Sequence, residues 1–142
     1  MSAAHMYLPP LLGMVALSYL TALVILFTRL ADLIRAKRPL SFYEEFDGLG
    51  APVSVLRPTR QLANQFEFPV LFYVLMAIVI SIPMRSQLIA ELAWLYVTLR
   101  WAHAASHICF NRLYVRTPLF MIGNLTLLAM WLMVGFSVYG GN

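Results

Sequence analysis

The sequence predicts an all-α integral membrane four-helix bundle, and three observations carry that prediction. Of the 142 residues, 61% are hydrophobic and only 11% are charged; soluble globular domains run at about half and about a quarter. Four apolar runs follow one another, each of roughly the 20 residues that cross a bilayer. Short turns separate them, except for one polar stretch after the first. This balance argues against a soluble single domain. It also excludes disorder, which pairs low hydrophobicity with high net charge. The length fits one domain, so residues 1–142 read as a single four-span membrane domain.

The first span is expected over residues 8–30, opened by Pro9-Pro10, because proline at a helix start gives up only an N–H that would be unpaired there. Its charges, Arg29, Asp32, Arg35, Lys37 and Arg38, come after the apolar core. A cleaved signal peptide carries its charge before the core, so the run reads as a retained helix with the N-terminus outside. Residues 36–60 then read as a polar cytoplasmic loop, punctuated by Glu44, Glu45, Asp47, Gly48, Gly50, Pro52 and Pro58. The second span is expected over residues 61–83, ending at Pro83, and the third over residues 87–110, with a tight turn between them. The fourth covers residues 117–139, with Thr117 as a hydroxyl cap, Pro118 at the first helical position and Gly140-Gly141 at the end.

Nine Arg and one Lys against six acidic residues give the +4 net charge. In a soluble chain this balance would suggest nucleic acid; here the cations read as topology signals and site residues, and no nucleic-acid partner is expected. Arg35, Lys37, Arg38, Arg57 and Arg60 precede span two, and Arg112 and Arg116 lie between spans three and four, whereas the turn between spans two and three has only Arg85. The positive-inside rule then predicts a multi-pass protein with both termini outside the cytoplasm, in the inner (plasma) membrane if the source is bacterial. Cys109 is the single cysteine, so no intrachain disulfide forms and no thiolate zinc site can be built. It reads as a small buried hydrophobe.

Ionisable groups inside spans cost about 2.5–3.5 kcal/mol each on insertion scales and need an explanation. Span two carries Arg60, Asn64 and Glu67; span three carries Arg100, His103, His107 and Asn111. At 100° per residue the first set falls within about 60° and the second within about 80°, each on one helix face. Arg116 and Thr117 close the same corner, giving a cationic pocket in the cytoplasmic half of the bundle with one acid in it. Glu67 and Arg100 could instead form a buried ion pair that locks two helices. His103 and His107, four residues apart, could ligate a metal with Glu67 completing the site; no metal is the expectation. Asn124 reads as a helix–helix hydrogen bond, Trp94, Trp101 and Trp131 as anchors or lipid-facing groups, and His5 as solvated. Several Arg with Asn, His and one carboxylate suit a small anion that bears more than one carboxylate and an ammonium, and a nearby Arg favours a thiolate.

At these positions the chain resembles the superfamily of membrane-associated proteins in eicosanoid and glutathione metabolism, and the segment Asn64-Gln-Phe-Glu67-Phe-Pro69 is similar to its bacterial branch. Arg60-x-x-x-Asn64-x-x-Glu67 followed by Pro69 looks like the first family motif. Arg100-x-x-His103-x-x-x-His107, continuing to Arg116-Thr117-Pro118-Leu119-Phe120, is similar to the second. The resemblance implies a homotrimer of four-helix subunits with glutathione, as cosubstrate, bound between neighbours at the cytoplasmic side. It implies Arg60, Asn64, Glu67, Arg100, His103 and His107 as binding residues, and Arg116 as thiolate stabiliser with Thr117 beside it as catalytic residues. It also implies a basic residue late in span one, for which Arg35 or Arg38 is the candidate. Ala63, His107 and Phe120 depart from the prostaglandin synthase branch, which has arginine at the first position and tyrosines at the other two. The expected function is a glutathione-dependent transferase or peroxidase acting on a lipophilic small-molecule electrophile from the lipid bilayer. The rival is a non-catalytic membrane binding or scaffold protein of the same fold.

Overall fold

The computed structural model describes residues 2–44, 46–82 and 84–140. The expected stops at Pro83 and Gly141, and Glu45 of the polar loop, lie outside the described residues. Among those described, the chain is all helical: α1 (Ala3–Ala36), α2 (Val53–Gln65), α3 (Pro69–Ser81), α4 (Gln87–Ala105) and α5 (Leu113–Tyr139), with a 3-10 turn at Leu40–Tyr43 and a π turn at Ser106–Phe110. The helices α2 and α3 run as one broken rod, so four rods make the bundle.

Helix α1 starts earlier than the prolines suggest. The Ser2 hydroxyl accepts from the His5 backbone N–H and caps the helix, leaving Pro9 and Pro10 inside it. At 34 residues, about 51 Å long, α1 exceeds the roughly 30 Å hydrocarbon core. It stops where Lys37 takes a left-handed conformation, φ 49°, just before Pro39. Past it the chain folds back. The Arg38 Nε pairs with Asp32 at 2.8 Å, Tyr43 donates to the same carboxylate at 2.7 Å, and the Arg29 guanidinium lies 4.6 Å from the Phe46 ring centroid. Burial, then the hydrogen bond to Asp32, raises the Tyr43 phenol above its ordinary value.

The second rod begins at Val53, after Pro52, and not at Gln61. Residues 53–60 were expected as loop because Arg57, Pro58 and Arg60 are polar or helix-breaking. In place they form the first turns of a polar-faced helix, with Pro58 inside it. The rod breaks at Phe66–Phe68. Pro69, at the first position of α3, has no N–H to offer back to α2. Helix α5 likewise begins at Leu113, with Arg112 as the capping position and no side-chain cap, so Thr117 is not a cap and Pro118 lies within the helix.

Helix α1 packs on α2, α3 and α4, and α5 lies along α4. The core between them holds Tyr7, Met14, Phe72, Leu75, Met76, Val79, Ala93, Tyr96 and Met130, all fully buried, with Phe72 stacked on Tyr96 at 4.7 Å between centroids. Two polar ties cross the bundle. The Tyr7 hydroxyl donates to the Ser86 carbonyl (3.2 Å) and accepts from the Ser86 N–H (3.0 Å), fixing the start of α1 to the α3–α4 turn. Trp101 Nε1 donates to the Gly13 carbonyl at 3.1 Å. The outer surface is apolar all round, with Tyr19, Phe27, Ile34, Leu125 and Phe136 exposed, as expected of rods that face hydrocarbon. By length and composition, Ala3–Ala36, Val53–Ser81 and Leu113–Tyr139 can cross a membrane. Helix α4 carries Glu91, Arg100 and His103 and falls short of that measure; its inner face is sheltered by the other rods. The molecule is a multi-pass membrane protein.

Candidate functional site

The end of the bundle where α1 finishes, α2 and α5 begin and the π turn sits holds a cavity of about 560 Å³. Its wall is formed by Arg57, Arg60, Ala63, Asn64 and Glu67 from the second rod, His103, His107 and Asn111 from the third, and Arg116, Thr117 and Phe120 from α5. Seven of the eight residues expected from the sequence therefore face one space: Arg60, Asn64, Glu67, His103, His107, Arg116 and Thr117.

Arg100 is the exception. It is fully buried and lies beside the cavity without lining it. Its Nη2 donates to the Asn64 carbonyl at 3.0 Å, and its guanidinium sits 5.9 Å from the centroid of Phe120, a cavity residue. The reason lies in the broken rod. The last carbonyls of α2 have no continuing helix to supply donors, and the guanidinium meets one of them. The alternative of a Glu67–Arg100 ion pair is not realised: among the described residues the one ion pair is Arg38 with Asp32, and Glu67 is exposed at the cavity.

The two histidines have separate anchors. His103 Nδ1 lies 3.1 Å from the Arg116 carbonyl, which can only accept, so Nδ1 carries the proton. His107 Nδ1 lies 3.0 Å from Gln61 Oε1. The rings meet edge to face at 6.0 Å between centroids. No group of three or more His, Cys, Asp or Glu suited to a metal ion occurs among the described residues. Arg116 Nη1 donates to Asn111 Oδ1 at 2.9 Å, which fixes the guanidinium across the mouth of the α4–α5 connection. Arg57 Nη1 reaches the Cys109 carbonyl at 3.3 Å and that of Ile108 at 3.5 Å. The π turn supplies the geometry: the Asn111 N–H bonds back to Ser106 O at 2.7 Å, and Asn111 then takes a left-handed conformation, φ 50°, which ends the rod. π turns occur disproportionately at functional sites.

Several residues were missed or misplaced by sequence reading. Arg57 was hidden because residues 53–60 read as loop, and Gln61, fully buried with its Oε1 3.0 Å from His107 Nδ1, was passed over as the first residue of the expected second span; the spacing 57, 60, 61, 64 carries the helical signal once the start is placed at Val53. Cys109 is exposed rather than buried, since the π turn carries it outward. Asn124, expected to bond across helices, has its Oδ1 buried with no partner among the described residues. Neither Arg35 nor Arg38 lines the cavity; Arg38 is engaged with Asp32 and the Gly50 carbonyl (2.7 Å).

Three guanidinium groups with one carboxylate make the cavity cationic yet able to bind an ammonium. Asn64, Asn111, Thr117 and two neutral-capable imidazoles add directional hydrogen bonds. The arrangement suits a zwitterion with excess negative charge. No curated protein and no solved structure matches the chain. The MAPEG family model matches residues 7–136, nearly the whole length and including every residue of the cavity: the chain belongs to the MAPEG family.

Proposed function

We propose that this protein is an integral-membrane glutathione-dependent transferase or peroxidase acting on lipophilic electrophiles, working as a homotrimer with the cavity on the cytoplasmic side and both termini outside. The observation that carries the reading is the convergence of Arg57, Arg60, Arg116 and Glu67 on one cavity of about 560 Å³ inside an otherwise apolar bundle. Glutathione brings two carboxylates, one ammonium and a thiol, which is the charge pattern this wall complements. Arg60 takes a carboxylate in bidentate fashion. Glu67 takes the ammonium, and Asn64 and the histidines hold the amides. Arg116, fixed by Asn111, faces the thiol and favours the thiolate, whose proton leaves to solvent. The sulfur then forms a bond to the electrophilic carbon as the leaving group departs, or as the double bond under attack takes a proton.

The test is thermal unfolding in detergent with and without glutathione. A ligand that binds the folded state raises the melting temperature, by roughly 2.7 kcal/mol of stabilisation at a hundredfold excess over Kd. Arg116→Ala is expected to abolish the thiolate absorbance of bound glutathione while keeping part of that thermal shift. The scaffold reading has its own support in Ala63 and Phe120, which put apolar groups on the cavity wall. No shift at millimolar glutathione would decide for it.

A further inference from the structure

At the opposite end of the bundle, between the start of α1 and the start of α4, a second polar cavity of about 510 Å³ includes His5, Arg85, Gln87, Glu91 and Trp94 in its wall. It has no part in the proposed reaction. Its chemistry is unusual for a membrane border, because it holds charges of both signs that do not satisfy each other. Arg85 and Glu91 form no ion pair among the described residues, and both side chains are exposed to the cavity. The Gln87 amide donates to Glu91 Oε1 at 3.1 Å and so holds the carboxylate in place, with its second oxygen available. Glu91 lies about 6 Å along the helix from Gln87, within the depth of the headgroup layer when α4 starts at the membrane border. Met6, Pro9 and Ala90 complete the wall with apolar groups; beyond it on α1 and α4, Leu12 and Leu95 are 54% and 45% exposed, and Trp94 is of the type that settles at headgroup level.

We propose that this cavity is a binding site for an aminophospholipid headgroup, one with a phosphate and a primary ammonium. Arg85, assisted by His5, takes the phosphate. Glu91 takes the ammonium through N–H donors, which a quaternary choline lacks. The acyl chains run down past Leu12 and Leu95. A volume of about 510 Å³ greatly exceeds the roughly 30 Å³ share of one water and leaves room for a whole headgroup. The apolar part of the wall and the exposed leucines beyond it favour a lipid over a free zwitterion as its source.

Native mass spectrometry of the purified full chain, supplied with equal amounts of phosphatidylethanolamine, phosphatidylcholine and phosphatidylglycerol, tests this. Wild type is expected to retain phosphatidylethanolamine at least about fivefold over either of the others, a factor that corresponds to about 1 kcal/mol. Glu91→Gln is expected to lose the preference over phosphatidylglycerol, and Arg85→Gln to weaken all three lipids. Both positions are exposed, so folding is unaffected, and an unchanged melting temperature is the control. Millimolar soluble phosphoethanolamine and inorganic phosphate are expected not to displace the lipid. Equal retention of the three lipids, a preference that survives Glu91→Gln, or displacement by the soluble headgroup would each overturn the proposal.

Discussion

Arg100 places a guanidinium wholly inside the bundle, with one hydrogen bond to the Asn64 carbonyl and with Nε and Nη1 unpartnered among the described residues. Two opposing terms act when it is replaced. Arg100→Met leaves the carbonyl without a donor, at a cost of about 1–3 kcal/mol, but it also removes a buried charge whose desolvation works against the folded state. The two oppose each other. Arg100→Met is therefore expected to change the ligand-free melting temperature little, while the glutathione-dependent shift shrinks as Asn64 loses its fixed position. A drop in stability of more than about 4 kcal/mol would show that Arg100 is first a structural tie. Arg100→Lys is not a conservative control, since a single ammonium cannot reproduce the planar fork.

At the level of elements, the seam between α1 and α4 is tight at Gly13. A Cβ on Gly13 would stand 3.1 Å from Val97 Cγ1 and 3.9 Å from the Trp94 ring, and the Gly13 carbonyl already accepts from Trp101. Gly13→Leu is expected to overpack this seam and lower stability by about 1–3 kcal/mol, measured by thermal unfolding. An unchanged melting point would mean that α1 shifts freely along α4. The contrast with what the sequence disclosed is instructive here. Four rods and their order were legible because apolar runs of bilayer length are a strong signal, and the pairs 60–64 and 103–107 were legible because 3.6-residue periodicity puts them together; Glu67 reaches the cavity from the break after α2, and Arg100 does not line it. The starts of the rods were not. Pro9, Pro58 and Pro118 each look like boundaries, yet each lies inside a helix, held there by packing that overrides local propensity. The break at Phe66–Phe68 was equally hidden. So was the consequence that Arg100 turns to the Asn64 backbone instead of to Glu67, because backbone carbonyls carry no sequence signature.

Over the whole molecule, charge is divided by end. Arg29, Arg35, Lys37, Arg38, Arg57, Arg60, Arg112 and Arg116 gather toward the cavity end, and Arg85 stands at the other. The proposed orientation follows from this asymmetry, and the single cysteine offers a direct check. Cys109 is exposed at the cavity end, so a membrane-impermeant maleimide is expected to label it in inside-out vesicles and to leave it unlabelled in intact cells. Labelling from the outer side would invert the topology and, with it, the compartment from which glutathione is drawn.

The widened turn at Ser106–Phe110 has a further consequence. It acts as a one-residue spacer that can be taken out. Deleting Ile108 would let the backbone close to ordinary α pitch and would remove one of the two carbonyls that Arg57 reaches. Asn111 would release the Arg116 guanidinium, while the packed layers around Phe72 and Tyr96 stay as they are. The variant is expected to insert and fold as a full-length bundle without ligand-induced stabilisation, which separates the architecture of the rods from the chemistry built at their end.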